Sequence, residues 1–192
     1  MAPSTPRRTT DPDLPPADPV EHRIGEALTR LEHAIERRPE FGRSTICSTT
    51  TLVDGLRCVS REGDVSIESD LGAALGGEGA GPTPSALVRA ALGACLTMGY
   101  RLRAARHGVP VDSIRVEVET DTAIGGMLDP DAAFPAGFIE IRYRVEIDSP
   151  APGGRVERLI EEADRLSPVL DAVVRPNRVT RRPGPPAGGD DR

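Results

Sequence analysis

The sequence predicts an α+β fold in which an antiparallel sheet packs on one long central helix. Three observations lead there. Two stretches, 114–120 and 138–148, alternate apolar and charged residues with period two, the mark of a sheet with one buried and one wet face. A nearly unbroken helical stretch, 84–107, separates them from an earlier β-rich region at 45–68. A shorter amphipathic helix follows at 155–166, so helices gather on one face of the sheet.

The 192 residues suit one domain with extensions. Hydrophobic residues make up 38% and aromatics 3%, so the core must be aliphatic. Such a core is feasible, since a domain of ~150 residues buries ~70% of its unfolded surface. The net charge of −6, with no basic run beyond two residues, lacks the footprint of a nucleic-acid-binding domain. There is no lysine, which excludes Schiff-base and P-loop chemistry. No apolar run approaches the ~20 residues of a membrane span, and no signal peptide precedes the first helix. Three cysteines at unpatterned spacing, Cys47, Cys58 and Cys95, fit a reducing compartment better than a disulfide framework. The expectation is a cytoplasmic protein.

Residues 1–19 hold six prolines and few apolar groups, and read as a disordered arm. Residues 183–192 read as a disordered tail for the same reason. Between them, an N-terminal segment (20–40) precedes the main domain (41–182). Ile24, Leu28, Leu31 and Ile35 place one narrow stripe on a helix over 20–38, which Pro39 ends. A stripe that narrow lies on a surface or against a partner chain. Thr45–Arg61 and Val65–Glu68 then read as β structure, with a hairpin turn at Glu62-Gly63-Asp64. Gly76, Gly77, Gly79 and Gly81 make the next loop flexible. They do not complete a dinucleotide-binding fingerprint.

Thr83 is placed to cap the central helix with Pro84 at its first position, and Gly108 to end it. Its first half is almost all apolar or small, which predicts burial. Arg101, Arg103, Arg106 and His107 suit the negative end of the helix dipole. The 121–137 loop is long for a hairpin. Ser167 caps a further short helix that begins with Pro168, and Val179 is a candidate for a closing strand.

Cys95, about three turns into the central helix, is the residue on which function turns. It is either a small core residue or a reaction centre. Dipole help for a thiolate fades within the first turn, so a reactive Cys95 needs a nearby arginine or hydrogen-bond donor. Cys47 and Cys58 lie in strand-like segments without paired zinc-ligand spacing and read as structural. His22, His33 and His107 read as solvated surface residues.

The runs Leu75-Gly76-Gly77, Gly81-Pro82-Thr83-Pro84 and Ala90-Ala91-Leu92-Gly93-Ala94-Cys95 resemble the OsmC/Ohr family (osmotically inducible and organic hydroperoxide resistance proteins). His107–Val118 and Ala163-Asp164-Arg165-Leu166-Ser167-Pro168-Val169 extend the resemblance over about 45–182. It implies an OsmC-like fold, an intertwined homodimer with sites at the interface, and thiol-dependent reduction of hydroperoxides. No cofactor, metal, membrane or nucleic acid is implied. Cys95 matches the peroxidatic cysteine. Ser167 stands where the family has its resolving cysteine, so it is not expected to be redox active, and an external thiol or Cys47/Cys58 must resolve the oxidised sulfur. Ser85 and Ala86 stand where the hydroperoxide branch has a glutamate, with Glu78 as a substitute. Arg57 is the position assigned to that branch's catalytic arginine, ahead of Arg61. The competing reading is a non-catalytic protein that binds a hydrophobic small molecule at the dimer interface, with Cys95 in the wall. Both versions place an added N-terminal helix outside the family fold.

Overall fold

A computed structural model describes residues 19–183. The expectations of disorder for the arm and the tail lie, apart from Pro19 and Pro183, outside these residues. The elements run α1 (Pro19–Arg37), β1 (Thr49–Asp54), β2 (Arg57–Glu62), β3 (Val65–Ser69) and α2 (Pro84–His107). They continue as β4 (Ser113–Thr122), α3 (Gly125–Leu128), β5 (Phe138–Asp148), α4 (Gly153–Arg165) and α5 (Pro168–Val174). The α+β expectation holds, with antiparallel strands and helices packed on one side.

α2 starts as its residues dictate. The Thr83 hydroxyl accepts the Ala86 N–H at 3.2 Å, and Pro84 occupies the first turn. At the other end Gly108 takes φ +61°, a left-handed conformation that a Cβ disfavours, and its N–H bonds the Ala104 carbonyl.

One face of α2 makes the core. Leu92, Leu96, Tyr100 and Ala104 are buried with Val109, Val111, Leu159 and Ala163. Ile114, Val116 and Val118 of β4 and Ile141, Val145 and Ile147 of β5 close it from the sheet side. Each buried leucine contributes ~1.5–3 kcal/mol relative to exposure. The outer face of β4–β5 carries the charges. Arg115 stands opposite Glu146, Glu117 opposite Arg144 and Glu119 opposite Arg142, so the strands pair in register and in charge.

Four expectations are corrected. The β region before α2 holds three strands, because Gly55-Leu56 turns the chain inside what reads as one β run. These strands form their own sheet, separate from β4–β5, and pack chiefly on themselves. The first half of α2 is not buried within the chain: of 84–94 only Leu92 is, because no element covers the other faces there. No closing strand forms at Val179. Residues 176–183 lack regular structure, Val179 is exposed, and Asn177 donates to the Ala172 and Arg175 carbonyls, holding the chain beside α5.

The added helix packs on α2, with a buried carboxylate as anchor and Ile24 and Leu28 of its apolar stripe half-buried. Glu21 is buried; its Oε1 accepts the Val111 N–H at 3.2 Å and pairs with Arg101 at 3.2 Å. Arg101 also donates to the Val111 carbonyl at 2.7 Å. Leu31 and Ile35 stay exposed. No described helix is long and apolar enough to cross a membrane.

Candidate active site

Cys95 is half-buried on α2, and its sulfur lies 3.3 Å from the Ser167 hydroxyl. The two residues are 72 positions apart. The sequence brings them together through two local signals. Leu92, Leu96 and Tyr100 fix the rotation of α2 against the core, and the Ser167-Pro168 start of α5 fixes the serine. Ser167 is 3% exposed and its Oγ accepts the Leu170 N–H at 3.3 Å, the N-cap bond expected from its position.

The side of α2 that carries Cys95 is apolar and uncovered. Val88, Ala91, Cys95, Met98 and Leu102 recur at helical spacing, and Val88, Met98 and Leu102 are exposed. A water-exposed apolar stripe with a sulfur in its middle is an opening for a hydrophobic ligand or a second chain.

Beneath the site lies a carboxylate clamp. The Tyr100 hydroxyl donates to Asp164 at 2.6 Å and the Tyr143 hydroxyl donates to its other oxygen at 2.9 Å. Burial and then the bonds to Asp164 hold both phenols neutral, Tyr100 well above its ordinary value and Tyr143 pushed up to about 12. The clamp joins α2, β5 and α4 one turn before Ser167, so it sets where the serine stands. Gly99 faces α4, where a Cβ would meet that of Ala163 at 3.9 Å, an ordinary van der Waals contact.

Arg57 is placed elsewhere in the same chain. It lines a small concavity of about 80 Å³ with Asp70 and Glu78, not the Cys95 surface. By the pairing of β1, β2 and β3, Leu52, Cys58, Val65 and Ile67 share one sheet face and Arg57 and Val59 the other. The loop beyond is built round Asp70, whose carboxylate accepts the N–H groups of Leu71, Glu78 and Ala80 at 2.8, 3.1 and 3.1 Å. Those bonds, led by that of Ala80, hold its carboxyl below the usual range. A Cβ on Gly77 would lie 2.0 Å from the Leu71 carbonyl oxygen, so only glycine closes this turn. The loop that reads as flexible is therefore a fixed support that holds Glu78 on the Arg57 side.

Cys47 is exposed and Cys58 is half-buried on β2, and neither contacts Cys95. His22 pairs with Glu26 at an exposed site, and His107 bonds Glu162 at 2.7 Å. Among the described residues no group of His, Cys, Asp and Glu could hold a metal ion.

Sequence reasoning missed Asp70, Tyr100, Tyr143 and Asp164. Tyr100 carried a usable signal: a tyrosine on the buried face of an apolar helix needs a partner for its hydroxyl. Asp70 gave none, since its partners are backbone groups of the following loop.

No curated protein matches the chain. Solved structures do. An OsmC-like protein from Mycoplasma pneumoniae is 17% identical over 69% of this chain and 89% of its own, with a TM-score of 0.58. A protein from Aquifex aeolicus is 14% identical over 69% and 89%, with a TM-score of 0.55. An OsmC-like protein of unknown function from Vibrio cholerae is 11% identical over 68% and 94%, with a TM-score of 0.52. At these identities the likeness is one of fold. The model of the family described as OsmC-like protein matches residues 77–181, more than half of the chain and the whole segment from the glycine loop through Cys95 and Ser167 to α5. The chain belongs to the OsmC-like family.

Proposed function

We propose that this protein is a thiol-dependent reductase of organic hydroperoxides that works through Cys95 alone, as a homodimer. The observation that carries this is the Cys95 sulfur: half-buried, flanked by exposed apolar side chains, and hydrogen-bonded to a buried serine.

The chemistry follows from those surroundings. A Cys95 thiolate attacks the distal peroxide oxygen, the O–O bond breaks, and the proximal oxygen takes a proton and leaves as an alcohol. Sulfur loses two electrons and becomes a sulfenic acid. Ser167 has no thiol to condense with it. An external thiol therefore attacks, releases water and forms a mixed disulfide. A second thiol then frees the Cys95 thiolate and leaves as the external disulfide. The apolar stripe on α2 favours a hydroperoxide with a hydrophobic body over hydrogen peroxide.

The homodimer reading rests on the uncovered faces. Leu52, Val65 and Ile67 share one exposed sheet face, and α2 exposes its own stripe. A second copy that covers both would give each Cys95 a closed apolar pocket, with Arg57 left on the opposite sheet face beside Asp70 and Glu78.

The test is turnover of cumene hydroperoxide with dithiothreitol by the wild type and by Cys95→Ser, together with dimedone trapping of the sulfenic acid. Turnover and a dimedone adduct on Cys95, both lost in Cys95→Ser, are expected. If the wild type consumes no peroxide and forms no adduct, the reductase reading fails. The missing second cysteine favours the competing reading, a hydrophobic-ligand binder, and a co-purifying apolar molecule would then support it.

A further inference from the structure

We propose that Ser167 is a catalytic hydrogen-bond donor to Cys95, with its hydroxyl proton aimed at the sulfur by the helix cap. As a catalytic assignment it rests on Cys95 being the attacking sulfur. As a statement about the thiol it does not depend on peroxide chemistry.

A hydroxyl has one proton and two acceptor lone pairs. The Leu170 N–H can only donate, so the cap bond at 3.3 Å occupies a lone pair of the Ser167 oxygen. The proton stays free for a second partner, and the Cys95 sulfur stands at 3.3 Å. Ser167 is 3% exposed, so water competes little for that proton. Once Cys95 ionises, the sulfur has nothing to donate and the bond runs from Ser167 to sulfur. A donor that bonds the charged form favours that form.

The charged and titratable groups on the neighbouring elements are turned to other partners. Asp164 is held by both tyrosines, and Glu162 is taken up by His107 and Arg103. Arg89 donates to Thr120, Asp171 pairs with Arg175, and Arg165 is exposed. Replacement of the second family cysteine by serine thus removes a resolving thiol and leaves a fixed proton donor in the same place. That exchange suits an enzyme that holds a thiolate ready and waits for an external reductant.

The experiment is the pH dependence of Cys95 alkylation by iodoacetamide, without peroxide, in a Cys47→Ser/Cys58→Ser background. Ser167→Ala is expected to raise the Cys95 pKa by about one to two units, and Ser167→Thr to restore it to within a few tenths. Ser167→Asp keeps the α5 cap but replaces the proton with a negative charge, and is expected to raise the pKa at least as far as alanine does. Circular dichroism of the aspartate variant checks that α5 remains. An alanine or aspartate variant that titrates with the wild type, or a threonine variant that titrates with alanine, overturns the proposal. Because alkylation needs no peroxide, a wild type without turnover that still shows this pattern would sink the reductase and leave the donor standing.

Discussion

The two sheets of this chain each carry an apolar face, and those faces meet different fates. In β4–β5 the alternation of apolar and charged residues ends in a core: Val116, Val118, Ile141, Val145 and Ile147 meet α2 and α4. In β1–β2–β3 the face with Leu52, Val65 and Ile67 ends in solvent, while Val59 on the other face is buried. Leu52 is 62% exposed, Val65 63% and Ile67 46%. An isolated three-stranded sheet with an uncovered apolar face gains little from its own burial. One half of the molecule is packed within the chain, while the other leaves an apolar face open. The candidate site residues divide along the same line, with Cys95 and Ser167 on the packed half and Arg57 on the open one.

The sharpest way to break this contrast is to charge the open face. On the proposed homodimeric reductase, Leu52→Asp with Ile67→Asp should leave the protein monomeric and without turnover, while near-UV circular dichroism of Tyr100 and Tyr143 stays native. Sedimentation equilibrium checks it. A double variant that stays dimeric shows that this face is not the interface.

On the packed half the same kind of change should act on stability. Leu96 is completely buried, and Leu96→Ala should cost ~2–5 kcal/mol of unfolding free energy, measured by urea titration. The equivalent Val65→Ala should cost well under that in dilute, monomeric protein, since there is little contact to lose.

Next in size is the clamp. Tyr100→Phe removes a bond to a carboxylate and should cost ~1.5–3 kcal/mol. Its pH dependence has a defined sign. Both phenols have folded pKa values raised above the ordinary ~10, so the clamp's stabilisation is fully present below pH ~10. It is lost as pH rises through the folded value, about 12 for Tyr143. Absorbance at 295 nm should therefore show little tyrosinate at pH 10.5 in the native protein and about three-quarters ionisation in urea.

The smallest effect belongs to the loop support on the open half. The Asp70 carboxyl is held below its ordinary ~3.9, so its contribution is present above that value and fades as pH falls through the lowered one. Asp70→Asn should remove this acid dependence and loosen residues 71–81. Hydrogen exchange of the Glu78 and Ala80 amides, whose N–H groups the carboxylate accepts, reads it directly.

Much of this was legible in the sequence where the cause is local. The Thr83-Pro84 and Ser167-Pro168 caps follow from residue chemistry at two adjacent positions, and period-two alternation disclosed β4 and β5. Cys95 and Ser167 stood out through the family resemblance, and their caps and helix phase then explain why they meet. What stayed hidden depends on distant partners. Glu21 looks like a solvated charge until Arg101 and the Val111 amide, far along the chain, enclose it. The split of β1 from β2 was masked because Gly55-Leu56 sits inside a run of strand formers. The exposure of the first half of α2 was unreadable, since apolar residues left open on a surface look the same in sequence as apolar residues that face a core.

On the proposed homodimer each Cys95 pocket is built from two chains, with Cys95 and Ser167 from one and the Leu52/Ile67 sheet face from the other. Co-expression of Cys95→Ser with Leu52→Ser/Ile67→Ser, under two affinity tags, is the direct test. Each variant alone should be inactive, and a mixed dimer should hold one intact site out of two, so a random mixture recovers about a quarter of the wild-type rate per chain. A purified mixed dimer no more active than its two parents would contradict the account.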